Sequence, residues 1–217
     1  MSFCLVWRLN SLPGVILASD SLTTIRDGSR VVRKTTQKTI SINSHFPVGA
    51  VTCGSAVAGK ESLVNLLSQN YQQERDSLEG FSHLIHEEIR EALKYRHPAV
   101  ETTNFAIHLA GYCVREKSFQ HYVISTVKLD LQEPRKVKST LFVGGNVGKA
   151  EVKALRSCGM QKDKNYTLEE ACEIVKSGIE KVYEIGNSKV SGPTQILYID
   201  DLQTHWLEGP IESEVLF

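Results

Sequence analysis

Met1-Ser2-Phe3-Cys4-Leu5-Val6 opens the chain, and Leu17-Ala18-Ser19-Asp20-Ser21 follows it across Asn10-Ser11-Leu12-Pro13-Gly14. Residues 3–9 and 14–19 are apolar and carry β-branched side chains, so the Pro-Gly punctuation between them reads as the turn of a hairpin. Ser2 is small enough for an aminopeptidase to remove Met1, which leaves a serine with a free α-amine. That amine titrates near ~7.7–8.0 and can take a proton at neutral pH. Threonine with its own N-terminal amine is a known nucleophile–base pairing, and serine can serve in the same way. Most Met-Ser starts carry no such chemistry. The hairpin and the acidic residue that ends it give this one a chemical reading.

Beyond the hairpin, residues 26–36 form a polar stretch. Thr39-Ile40-Ser41-Ile42 alternates with the period of a strand, and Val48-Gly49-Ala50-Val51-Thr52-Cys53-Gly54 reads as a short buried strand. The period then changes. Leu63, Leu66, Leu67 and Tyr71 predict a helix over about 59–74, and Leu84, Ile85, Ile89, Ala92 and Leu93 predict a second over about 81–96, stopped by Pro98. Strands return at 103–112 and 119–127, a charged loop spans 128–138, and Leu141-Phe142-Val143 leads into a helix ending near Cys158. Thr167-Leu168-Glu169-Glu170 is a capping box that opens another helix, to about Tyr183. Ile196–Ile199 and His205–Leu207 are the last expected strands. The order predicts a single domain over 1–217 of α+β class, a four-layer αββα sandwich with two antiparallel sheets between helix layers.

Composition narrows the function. Lys and Arg (25) balance Asp and Glu (25), which gives no support for nucleic acid or an anionic membrane as partner and does little to oppose self-association. The five cysteines form no CxxC pair and the seven histidines show no HExxH spacing, so a metal site and a cofactor are not expected. Scattered thiols, with no signal-peptide pattern and no long apolar run, make a cytoplasmic location the expectation.

The opening hairpin, Lys38-Thr39-Ile40-Ser41-Ile42, residues 48–54, Asn104–Tyr112, and Ser191-Gly192 before Ile196–Ile199 together resemble the proteasome β-subunit type of N-terminal nucleophile hydrolase, with the bacterial Anbu branch the nearest in appearance and HslV next. The resemblance spans nearly the whole chain. It implies the αββα fold, a homo-oligomeric ring or spiral, peptide or unfolded-protein substrates, and an ATPase unfoldase as a class of partner. It puts Ser2 at the nucleophile, Lys38 at the active-site lysine (with Lys34 as rival), Asp20 at the carboxylate that holds it, Gly54 at the oxyanion donor and Ser191 among the groups around the amine. Thr24 and Ala56 fall where a substrate strand pairs, and Thr23, Thr52 and Ala56 fall around the pocket for the residue before the cut. Two positions depart from the pattern. Gly144-Gly145-Asn146 stands where a Gly-Ser-Gly turn is usual, and Ser188 stands where an acidic residue is frequent.

Each residue also has a plainer reading. Lys38 can be a solvated lysine at a strand start, Asp20 a turn residue, and Gly54 a turn-permitting glycine. Three functions remain open on the sequence: a serine-nucleophile peptidase, a catalytically weak or inactive scaffold subunit, and an amidase of small amides.

Overall fold

A computed structural model describes residues 3–27, 30–55, 57–58, 61–71, 77–95, 104–128, 130–145, 148–161, 164–185, 192–209 and 215–216, with the backbone alone for 24–27, 30–32, 34, 61 and 215–216. The strands, in chain order, are β1 (Phe3–Arg8), β2 (Val15–Ser19), β3 (Leu22–Asp27), β4 (Arg30–Thr35), β5 (Thr39–Ser41), β6 (Val48–Gly54), β7 (Phe105–Cys113), β8 (Ser118–Val127), β9 (Leu141–Gly145), β10 (Gln195–Ile199), β11 (Thr204–Glu208) and β12 (Val215–Leu216). The helices are α1 (Leu63–Leu67), α2 (Leu78–Lys94), α3 (Lys149–Ser157) and α4 (Leu168–Glu184).

Among the described residues the two main sheets are antiparallel. The first runs β9-β1-β2-β10-β11, and the second has β8-β7-β6-β5 as its body. Successive side chains of a strand point to opposite faces, and β1 uses both. Phe3, Leu5 and Trp7 pack with Leu155 of α3 and Val175 and Ile179 of α4. Cys4 and Val6 turn the other way, onto Val51, Cys53 and Ala110 of the second sheet. On that sheet Ile107 and Leu109 of β7 pack on Phe81, Ile85 and Ile89 of α2. The layers are therefore helix, sheet, sheet, helix, which is the α+β sandwich the element order predicts. A strand buried on both faces reads as a continuous apolar run rather than an alternating one, which is why residues 3–7 and 15–18 are so uniformly apolar.

The capping box at α4 is closed at both ends: Glu170 N–H donates to Thr167 Oγ1 at 3.1 Å and Thr167 N–H to Glu170 Oε2 at 2.8 Å. Ser77 Oγ caps α2 by accepting from Gly80 N–H at 3.1 Å. No described helix is long and apolar enough to cross a membrane.

Three expectations need correction. The polar stretch 26–36 is no simple loop: β3 and β4 form an antiparallel hairpin, with β12 on the far side of β4. Its residues are polar because the hairpin lies outside the two main sheets. The helix expected over 59–74 reduces, among the described residues, to α1. Tyr71 lies in a two-residue parallel bridge, Asn70–Tyr71 with Asn43–Ser44, where its hydroxyl donates to the Leu66 carbonyl at 2.7 Å and its ring meets Phe81. The charged segment 128–138 carries two short pairings, Asp130–Leu131 and Arg135–Lys136, onto β8.

Candidate active site

The end of β2 and the start of β5 meet at one buried ion pair. Lys38 Nζ lies 3.0 Å from Asp20 Oδ2, with the lysine side chain 8% exposed and the carboxylate 0%. A second Nζ donor bond runs to the Leu22 carbonyl at 2.5 Å. Asp20 is held from the backbone as well: Oδ2 accepts from Leu22 N–H at 3.2 Å and Oδ1 accepts from Phe3 N–H at 2.7 Å. One carboxylate thus joins the lysine to the amide that follows Ser2 in the chain. Burial pushes the Lys38 ammonium below its ordinary value, and the charge and hydrogen bond of Asp20 oppose that shift.

Lys38 is placed by a residue that sequence reasoning missed. Gln195, fully buried at the head of β10, accepts with Oε1 from Lys38 N–H at 2.9 Å and Thr39 N–H at 3.0 Å, and donates with Nε2 to the Thr36 carbonyl at 2.7 Å. It fastens the start of β5 to the opposite sheet. Ser19 Oγ and Thr39 Oγ1 make a parallel link at 2.8 Å, and Thr52 N–H donates to the Lys38 carbonyl at 2.9 Å. The only signal for Gln195 was a lone amide before Ile196-Leu197-Tyr198-Ile199.

The other candidates fall at varied distances from this pair. Thr52 is buried in β6, beside Lys38. Thr23, half-buried in β3, hydrogen-bonds through its hydroxyl to Thr36 Oγ1. Thr24 lies in β3 opposite Arg33 of β4. Gly54 ends β6 with φ +91°, and a Cβ there would stand 2.3 Å from the Asn104 carbonyl oxygen, so conformation and close approach both require glycine. Gly192, at φ +82°, lies against Ser21, so the last loop arrives beside the Asp20 turn; a Cβ on it would be 2.5 Å from Ser21 Oγ. Lys34, the rival lysine in the polar stretch, lies in β4 with its backbone between Thr23 and Val215. Ser2, Ala56, Ser188 and Ser191 lie outside the described residues.

A second polar cluster lies next to the ion pair, and no sequence spacing announced it. Cys4 of β1, Cys53 of β6 and His108 of β7 are all buried, and their ligand atoms lie within 4.8 Å of one another. The hydrogen bond between the two thiols, aided by burial, raises Cys4 well above the ordinary thiol value; the same bond lowers Cys53. Burial, with smaller contributions from His121 and Arg135, pushes His108 down to about 3, and burial pushes His121 to about 4.

No protein-family model matches the sequence, and no curated protein matches it. Among solved structures, the Gly-1 mutant of Anbu from Hyphomicrobium sp. strain MC1 matches with a TM-score of 0.63 at 14% identity, covering 98% of this chain and 89% of that one. The two proteins share a fold. It is the helix-sheet-sheet-helix sandwich described above, and at this identity the match establishes the architecture alone.

Proposed function

We propose that the protein is a self-assembling, proteasome-like peptidase that uses Ser2, exposed by removal of Met1, as its nucleophile. The observation that carries the reading is the buried Asp20–Lys38 pair, bonded to the Phe3 amide one residue from Ser2. A cation beside a hydroxyl nucleophile stabilises the alkoxide as it develops, and a charge with so little exposure has to be fixed by a partner. In the proposed cycle the α-amine takes the Ser2 hydroxyl proton and Oγ attacks the peptide carbonyl carbon. The tetrahedral oxyanion is met by the Gly54 N–H. Collapse expels the amine, which takes the proton, and water then hydrolyses the ester. Lys38 stabilises the developing alkoxide and disfavours protonation of the α-amine.

The peptide class is favoured over small amides by β3. In its three-stranded sheet, order β12-β4-β3, one edge of β3 is unpaired among the described strands. An extended substrate would add to such an edge near Thr24, with Thr23, Thr52 and Ala56 around the side chain before the cut. Assembly into a homo-oligomer, with an ATPase unfoldase as partner, completes the proposal; Tyr95, Tyr183 and Ile185, exposed at the C-terminal ends of α2 and α4, are candidate contacts between copies.

The test is turnover of an unfolded protein substrate. Ser2→Ala should abolish it with the fold intact and Ser2→Thr should retain it, while Lys38→Ala should be strongly impaired and Lys34→Ala nearly normal. An active Ser2→Ala protein would overturn the assignment, and an inactive but assembled wild type would favour the scaffold.

A further inference from the structure

We propose that Cys4, Cys53 and His108 form a binding site for a thiophilic d10 cation, Zn2+ being the divalent case, that ties the two sheets together beside the Asp20–Lys38 pair. The three side chains come from both sheets. Cys4 is on β1 of one; Cys53 and His108 are on neighbouring strands of the other, where Cys53 stands opposite Ala106 in register, two residues from His108. All three point into the layer between the sheets, with Val6, Val51 and Ala110 around them. Ligand atoms within 4.8 Å of one another need only a modest contraction to reach the separations set by Zn–S bonds of ~2.3 Å and Zn–N bonds of ~2.0–2.1 Å. Two thiolates and an imidazole are a soft donor set that favours Zn2+ or Cu+ over the hard cations Mg2+ and Ca2+.

The surroundings are those of a ligand set rather than of three packed side chains. His108 Nδ1 is engaged by His121 Nε2 at 3.0 Å, which leaves Nε2 as the nitrogen to ligate. A ring nitrogen bonded to a partner is the usual means of fixing tautomer and orientation in a metal-bound histidine. Phe142 lies against His108 with ring centroids 4.2 Å apart and the ring planes tilted by 35°. A backbone N–H beside each sulfur, Gly144 for Cys4 and Ala106 for Cys53, favours the thiolate, against the Cys4–Cys53 hydrogen bond and the burial that keep Cys4 a thiol until a cation replaces its proton. The backbone at Gly144 packs tightly here: a Cβ on it would stand 2.5 Å from the Phe142 ring and 3.1 Å from Cys4 Sγ.

Charge closes the argument. Lys38 and Asp20 cancel, and both thiols act electrostatically on Lys38. A divalent ion that replaces two thiol protons leaves the buried cluster neutral, whereas a lone thiolate there would not be neutral. The site therefore takes the ion as a unit, Zn2+ plus two thiolates, with the protons released to solvent.

The experiment is a titration of the full chain, reduced with a phosphine and stripped of metal, with Co2+ as a spectroscopic stand-in for Zn2+. One equivalent should give a thiolate-to-cobalt charge-transfer band and visible ligand-field bands of tetrahedral type, both bleached by Zn2+. Zinc-edge X-ray absorption of the Zn2+ form should show two sulfurs and at least one imidazole nitrogen. Cu+ is tested separately, by competition with a Cu+-specific chelator, and decides which ion binds more tightly. Cys4→Ser and Cys53→Ser should weaken Co2+ binding at least tenfold, and Cys172→Ser should leave it unchanged. Zn2+ should raise the melting temperature of the wild type and of Cys172→Ser but not of the other two. A wild type with both thiols reduced and no charge-transfer band, or a first shell of nitrogen and oxygen only, would overturn the proposal whatever the variants do.

Discussion

Replacing Asp20 by Asn should strand the Lys38 ammonium. The lysine side chain is 8% exposed and its counter-charge 0%, so water cannot take over the role of the carboxylate. Breaking a buried pair by removing one partner costs roughly 3–5 kcal/mol, far more than the ~0–1 kcal/mol of a surface pair. A chain of this size loses ~2–4 °C of melting temperature per kcal/mol, so the expected drop is roughly 6–20 °C. Asn at this position can still accept from Phe3 N–H through Oδ1, while its amide nitrogen in place of Oδ2 forfeits the Leu22 N–H bond along with the charge. The double variant Asp20→Asn/Lys38→Met should recover most of the stability, because a neutral chain of similar length needs no partner. The single variant should also gain stability as pH rises: its Lys38 pKa is depressed in the folded state, the unfolded chain binds more protons, and the unfolding free energy increases with pH between the folded and unfolded values. Urea denaturation at neutral and alkaline pH measures all three. A single-variant cost under about 1 kcal/mol, or a double variant no more stable than the single, would refute the reasoning.

Gln195→Ala should orphan the Lys38 and Thr39 amides and the Thr36 carbonyl, and at ~1–3 kcal/mol for each buried unsatisfied group urea denaturation should report a loss of at least about 3 kcal/mol. The alkaline limb of kcat/KM should lie below the ordinary lysine value of about 10.4, because burial lowers the Lys38 pKa and the rate is lost as that proton leaves; a limb at or above the ordinary value contradicts the role given to Lys38. Light scattering at micromolar concentration should find particles well above the 24.2 kDa of one chain, and a monomer across that range would exclude assembly.

The sandwich was legible in the sequence because burial writes it there. Residues 3–7, 15–18 and 48–53 must satisfy an apolar layer on each face, and the capping box at Thr167 announces α4 without any tertiary information. The β3–β4 hairpin escaped because it lies outside the main sheets and its residues look like loop. Tyr71 escaped because its spacing from Leu63 and Leu67 fits a helix, while its pairing with Ser44 is set by the fold. Of the candidate site, Asp20 and Lys38 were visible as residues, but their contact was supplied by the resemblance and not by any spacing. Gln195 and the Cys4, Cys53 and His108 cluster were invisible for one reason: their partners lie on strands distant in sequence, and no local pattern records which strands become neighbours.

The central claim is that a free N-terminal Ser2 attacks the substrate carbonyl, and intact-mass spectrometry after treatment with a hydroxyl-directed electrophile tests it most directly. The account predicts a chain that lacks Met1 and carries one covalent adduct, which fragmentation places on Ser2 and which Ser2→Ala does not acquire. Active protein that retains Met1, or an adduct on any other residue, would contradict it.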